Sequence, residues 1–270
     1  MRAQTGSGAQ EWRNHWTLPL AAMDGYSASS LHTYGIGSFI EPLQEAFGWS
    51  RAQTTFGLTI AGLTGAVMAV PVGLLVDRIG PRIVGLFGIV AMTGAFALLG
   101  TATGTMANWI VLWSVLAIAN LGLQGTVWTK AVGSRFERSR GLAFAITLSG
   151  APVTATVLPV IAAWLIAHYD WRTAFGGVGM IWFVLGFALM LLFFRGAQED
   201  ARPAGAARSE SEILTGLSFA EATRTPAFFK LIIATALFAF TVLGLIVHFV
   251  PILTGQGADR MGAAGVASLV

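Results

Sequence analysis

Of the 270 residues, 55% are hydrophobic and only 11% are charged; a soluble domain carries about 25% charged residues, so the shortfall excludes an ordinary water-soluble fold. The chain has no cysteine, which excludes disulfide frameworks, cysteine-ligated metal clusters and thiol catalysis. A net charge of +3 does not argue for nucleic acid, because arginines on the inner side of a membrane protein give the same excess.

Residues 1–15 form a polar tail without a small-residue cleavage site, so the first apolar segment is expected to stay in the membrane as an anchor. A bilayer core of about 30 Å needs about 20 apolar residues per helix. The first span is predicted at Trp16–Ile40. Polar side chains inside a span usually face a bundle interior or water, which makes Tyr26, Ser30 and Tyr34 candidates for a substrate cavity. His32, offset from that stripe, is a candidate proton or carboxylate site; a hydrogen bond to a neighbouring helix is the competing role. Asp24 reads as a helix-packing residue.

The second span, Thr54–Val76, repeats Ala61, Gly65, Ala69 and Gly73 at four-residue spacing, a small face that lets another backbone come close. It runs into the charged turn Gly73-Leu-Leu-Val-Asp77-Arg78-Ile-Gly80-Pro-Arg82. Asp77 falls at the negative end of its helix and Arg82 at the positive end of the next, each opposing its own helix by about 0.3–1 kcal/mol. Helix stability does not account for them; a partner for Asp77 on another helix, its N-terminus or an arginine, does. Gly80 suits a left-handed cap and Pro81 a first turn.

The third span is predicted at Ile83–Thr103 and the fourth at Ala107–Val132. Asn120, Gln124 and Trp128 recur every four residues, so they are expected on one face, lining a cavity or bonding a neighbouring helix. The fifth span, Gly141–Ala167, carries the small stripe Ala143, Thr147, Ala151 and Ala155, and the sixth is predicted at Trp171–Phe194.

A linker rich in Ala, Gly, Ser and charge is predicted over 196–226. A seventh span follows at Ala227–Thr254 with His248 as a further candidate proton or carboxylate site, and an eighth apolar stretch starts at Met261. The expected organisation is therefore a tail (1–15), a six-helix bundle (16–195), a linker (196–226) and an incomplete second bundle (227–270), as if the sequence were interrupted. SFIEPL at Ser38–Leu43 and HFVPIL at His248–Leu253 are weak echoes of each other, which fits two parallel repeated halves. With the N-terminus inside, only Arg51, Arg172 and Arg260 stay outside, so 13 of the 16 Lys and Arg residues lie on inner segments. The positive-inside rule then predicts a multi-pass protein of the cell membrane, N-terminus cytoplasmic.

The turn from Gly73 through Asp77, Arg78 and Gly80 to Arg82 resembles the signature loop between helices two and three of the major facilitator superfamily, G-x-L-x-D-R-x-G-x-[RK], and matches at every fixed position. The resemblance implies an all-α facilitator fold and a loop that helps lock the cytoplasmic gate. Asp24-Gly25-Tyr26 is similar to the D-G-[GS]-[WF] of the monocarboxylate transporter-like branch. The segment from Phe136 through Arg138, Arg140 and Gly141 to Gly150 resembles that branch's fifth-helix motif, and Phe47–Arg51 and Asp170–Arg172 have its bacterial flavour. Span one lacks the lysine often found in helix one of proton-coupled members; His32 is its only basic residue.

The resemblance implies a secondary transporter of small organic anions, monocarboxylate-like, working by alternating access with protons as a coupling partner. An exporter or antiporter of another small solute is the nearest alternative. A seven-span receptor fits the span count but not the cytoplasmic N-terminus or the signature loop. An enzyme is disfavoured: His15, His32, His168 and His248 are scattered with no carboxylate cluster, so no metal or cofactor is expected.

Overall fold

The computed structural model describes residues 7–195 and 219–255 and is all-α over them. Two compact units divide at Gly205–Ala206. Residues 1–6, residues 196–218 of the linker expected over 196–226, and the eighth apolar stretch expected from Met261 lie outside the described residues.

In the first unit a short helix α1 (Gly8–His15) precedes the spans. Span one is two helices, α2 (Thr17–Ser29) and α3 (Leu31–Phe47), meeting at Ser30. It extends past the expected end at Ile40, through Pro42 to a left-handed cap at Gly48 with φ 68°. Span two is one unbroken helix, α4 (Arg51–Ile79), opened by a capping box: the Gln53 N–H donates to Ser50 Oγ and the Ser50 N–H to Gln53 Oε1. Span three is α5 (Pro81–Leu98), with Pro81 in its first turn as expected. Gly80 between them has φ 91° and ψ 151°, a region only glycine occupies comfortably, but not the left-handed helical cap expected. Its extended ψ sends the chain directly into the next helix.

Span four breaks where the sequence predicts continuity. α6 (Met106–Asn120) ends in a 3-10 turn at Leu121–Leu123, Gln124 is extended, and α7 (Gly125–Gly133) resumes. Span five also breaks, at Ser149, into α8 (Arg140–Leu148) and α9 (Gly150–His168). Span six is α10 (Trp171–Phe193), capped by Asp170, whose carboxylate accepts from the Thr173 N–H at 2.7 Å. That N–H, foremost among its contacts, holds the Asp170 carboxyl below its usual range.

The packing shows why small residues crowd the first span. Gly150 lies so close to α2 that a Cβ there would fall 2.0 Å from the Met23 carbonyl oxygen. Beside this crossing the Trp182 indole N–H donates to Ser27 Oγ at 2.8 Å, and Ser27 Oγ and Thr154 Oγ1 lie 2.7 Å apart. These three buried groups satisfy one another inside the bundle, joining α2, α9 and α10. Phe39 stacks on Phe175 with centroids 3.8 Å apart, and Phe96 meets Phe175 edge-on at 5.3 Å, joining α3, α5 and α10.

Spans three and six are tied at both ends. The Arg82 guanidinium donates to the Leu191 carbonyl at 2.8 Å, and that of Arg172 donates to the carbonyls of Gly100 at 2.9 Å and Ala102 at 2.8 Å. Arg82 therefore opposes its own helix dipole but complements the carbonyl end of α10.

In the second unit α11 (Phe219–Ala222) is a single turn and α12 (Pro226–Gly255) is a 30-residue apolar helix, slightly longer than the expected Ala227–Thr254.

Candidate functional site

At the end of the first unit that carries the signature turn, Asp77 does not point into open space. Its carboxylate accepts from the Lys130 ammonium of α7, a residue 53 positions away. The expected partner was a helix N-terminus or an arginine; the finding is a lysine of span four. Lys130 lies in the last turn of α7, where a cation complements the carbonyl end of the helix, so it is stable there independently of Asp77. The pair is partly exposed, with 65% of the Asp77 side chain and 29% of that of Lys130 accessible. Exposed pairs contribute about 0–1 kcal/mol. Making or breaking this one is correspondingly cheap.

A groove of about 450 Å³ opens beside the pair, lined by Gly73, Val76, Asp77, Thr126, Thr129, Lys130, Arg140 and Phe144. Among the described residues nothing stands within 4 Å of a Cβ position on Gly73, so its lack of a side chain leaves the wall of α4 bare. The Arg140 guanidinium donates to the Gly133 carbonyl at 3.0 Å and lies 5.8 Å from the Phe144 ring centre. The groove thus holds two cations and one carboxylate. Arg78 is exposed on the neighbouring turn.

The other expected residues lie around the breaks in spans one and four. Tyr26 of α2 reaches within 3.8 Å of the Cβ position of Gly125, at the start of α7. The Gln124 amide nitrogen lies 3.5 Å from the Cβ position of Gly65 on α4. His32, 8% exposed, packs edge-on against Trp113 of α6 at 6.2 Å, with Nε2 3.3 Å from the Thr33 hydroxyl. Among the described residues, the Trp113 indole nitrogen and Asn120 Oδ1 are buried without a hydrogen-bond partner. Tyr34 is exposed, whereas Ser30 is buried and its hydroxyl returns to the Tyr26 carbonyl at 3.3 Å.

The single face expected for Asn120, Gln124 and Trp128 is interrupted, because the 3-10 turn and the extended Gln124 change the helical phase between them. Trp128 is fully buried; its indole N–H donates to the Leu123 carbonyl at 2.7 Å, and its ring lies against both Gly25 and Gly85. A Cβ on Gly25 would fall 2.2 Å from the ring. The glycine of Asp24-Gly25-Tyr26 is therefore the seat of a tryptophan from span four. Asp24 itself lies next to α10: one carboxylate oxygen is buried without a donor among the described residues and stands 2.8 Å from the Cβ position of Gly186. His248 is on α12, and its side chain lies outside the described residues.

The second motif is held from the N-terminal side. Glu11 of α1 accepts the N–H groups of Glu137 at 3.2 Å, Arg138 at 3.1 Å and Ser139 at 3.1 Å, together with the Ser139 hydroxyl at 2.6 Å. The Ser139 hydroxyl, then the Arg138 N–H, holds the Glu11 carboxyl down at about 2. Within the motif, Arg138 and Gly141 are exposed and Gly150 is buried at the α2 crossing. Neither Glu11 nor Lys130 stands out as a site residue in the sequence. The signal available for Lys130 was its position as a lysine at the inner end of an expected span, one of only two lysines in the chain. Among the described residues, no group of three histidines or carboxylates is placed to hold a metal ion.

The sequence family described as Major Facilitator Superfamily matches residues 25–270. No curated protein matches the chain.

Proposed function

The chain belongs to the Major Facilitator Superfamily, a family of membrane transporters, and on that premise we propose that it carries a small organic anion across the cell membrane by alternating access. The Asp77 end faces the cytoplasm in this reading, the N-terminus lies on the same side, and protons are the coupling partner. The observation that carries the reading is the Asp77–Lys130 pair on the lip of the groove. It joins spans two and four by a contact weak enough to be exchanged in a cycle, beside a glycine face left open to another helix.

Substrate binding is assigned to the polar groups around the helix breaks of the first unit: Tyr26, His32, Tyr34, Asn120 and Gln124. Interrupted spans free backbone groups near mid-membrane, where carriers of this general design bind solutes. The buried imidazole of His32 supports a proton or carboxylate role, and the cation excess of the groove supports an anion over a cation as cargo. Trp128 is assigned to packing. The similarity of the Asp24-Gly25-Tyr26 and Phe136–Gly150 motifs to monocarboxylate carriers supports a short carboxylic acid.

The test is uptake of labelled L-lactate, pyruvate and acetate by proteoliposomes under an inward proton gradient. Accumulation that collapses with the gradient, and falls in Asp77→Asn, is the expected result. Uptake no greater than in empty liposomes for all three acids, from correctly inserted protein, rejects the proposed cargo.

A further inference from the structure

The bonds between Glu11 and residues 137–139 have no counterpart in the reading above. Their geometry starts from an unmet need. The N–H groups of Glu137, Arg138 and Ser139, just ahead of α8, make no bond within that helix and are met by a carboxylate more than 120 residues earlier in the chain. The contact is wider than one side chain. The Trp12 ring lies 5.0 Å from that of Phe136, which is fully buried, and His15 meets the same ring edge-on at 6.4 Å. At the other end of α1 a Cβ on Gly8 would stand 3.7 Å from Ser139 Cβ.

The residue that follows this pinned segment is Arg140, whose guanidinium lines the groove with Asp77 and Lys130. α8 then runs only nine residues to the break at Ser149, where Gly150 abuts the Met23 carbonyl. The arginine is thus on a short lever fixed at one end by α1 and at the other by α2.

We propose that α1 is a strap that positions the gate, with Glu11 acting through residues 137–139 to hold Arg140 in the groove beside the Asp77–Lys130 pair. Glu11 is a positioning residue; it touches neither the groove nor the substrate path. The strap connects span one to span five at the end where the bundle opens, and it gives the Phe136–Arg140 part of the second motif a physical purpose. Phe136 is the seat for Trp12, and Ser139 supplies two of the four donors.

The absence of cysteine makes the test clean. In inside-out vesicles a single Gly73→Cys reports on the groove through its rate of reaction with a membrane-impermeant maleimide, independently of any substrate. Glu11→Ala should raise that rate several-fold, Arg140→Ala should raise it similarly, and the double variant should show no further rise, because both act through one residue. A disulfide between Gly8→Cys and Ser139→Cys, whose Cβ separation suits one, should return Glu11→Ala to the original rate. If Glu11→Ala fails to insert, Ser139→Ala loses the shortest of the four bonds and takes its place. Unchanged labelling in the Glu11 or Ser139 variant, additive effects with Arg140→Ala, or no restoration by the disulfide would overturn the proposal while leaving the transport reading untouched.

Discussion

Asp77, near the end of α4, and Lys130, near the end of α7, form an ion pair across two spans at the mouth of the groove. Asp77→Asn and Lys130→Met should each lower uptake about tenfold, equivalent to ~1.4 kcal/mol on the limiting step. Thermal stability in detergent should change by no more than the ~1 kcal/mol of an exposed pair. The charge exchange Asp77→Lys with Lys130→Asp should recover part of the uptake. Initial rates normalised to inserted protein decide the matter; full activity in both single variants removes the gate role.

Gly25 has no room for a side chain. Gly25→Ala should destabilise the first unit by about 1–3 kcal/mol or more, since the Trp128 ring would have to leave a packed site. Trp128→Phe in the same chain should relieve part of the strain. Melting curves of the purified variants, followed by near-ultraviolet circular dichroism, check both. A neutral Gly25→Ala would mean that the tryptophan is not seated as described.

Ser27 accepts from Trp182 and shares a hydrogen bond with Thr154. Ser27→Ala strands the buried indole N–H and should cost about 1–3 kcal/mol, whereas Thr154→Val should cost less because the Trp182–Ser27 bond survives. The order of the two midpoints in a denaturant titration is the test; Thr154→Val the more damaging would contradict it.

The Glu11 carboxyl titrates at about 2 in the folded chain, against an ordinary value of 4.5. A lowered value means that the unfolded state takes up protons first as pH falls. The stabilisation from the strap should therefore be fully present above pH 4.5 and fade as pH drops through about 2. Asp170, lowered for the same kind of reason by Thr173, contributes in the same direction. Hydrogen exchange of the 137–139 amides, compared between wild type and Glu11→Gln, should show a difference that is constant above pH 4.5 and shrinks below it. A difference that vanishes already at pH 5 would be incompatible with the lowered value.

The spans and the charged turn were legible because they follow from local physics. Apolar length locates a membrane helix, and Gly80-Pro81 must punctuate one. What was not legible depends on residues far apart in the chain. No proline marks the break at Leu121–Leu123, only Gly122 and Gly125, which helices tolerate at a cost, and an uninterrupted four-residue rhythm therefore placed Asn120, Gln124 and Trp128 on one face. Trp128 also looked like a polar-tipped lining residue, whereas the absent side chains of Gly25 and Gly85 create its seat. The sequence raised the need for a partner to Asp77 through helix polarity, but the identity of Lys130 required the fold. Glu11 was invisible for a similar reason, since its donors lie on the far side of four spans.

The two arginine ties, Arg82 to Leu191 and Arg172 to Gly100 and Ala102, leave spans three and six little freedom to shear. Any deformation of the six-helix unit must then be absorbed elsewhere, at Ser30, Leu121–Leu123 and Ser149, the joints where spans one, four and five already depart from a single helix. Spans three and six serve as a stiff keel, and the hinges are the three places where a straight rod was given up.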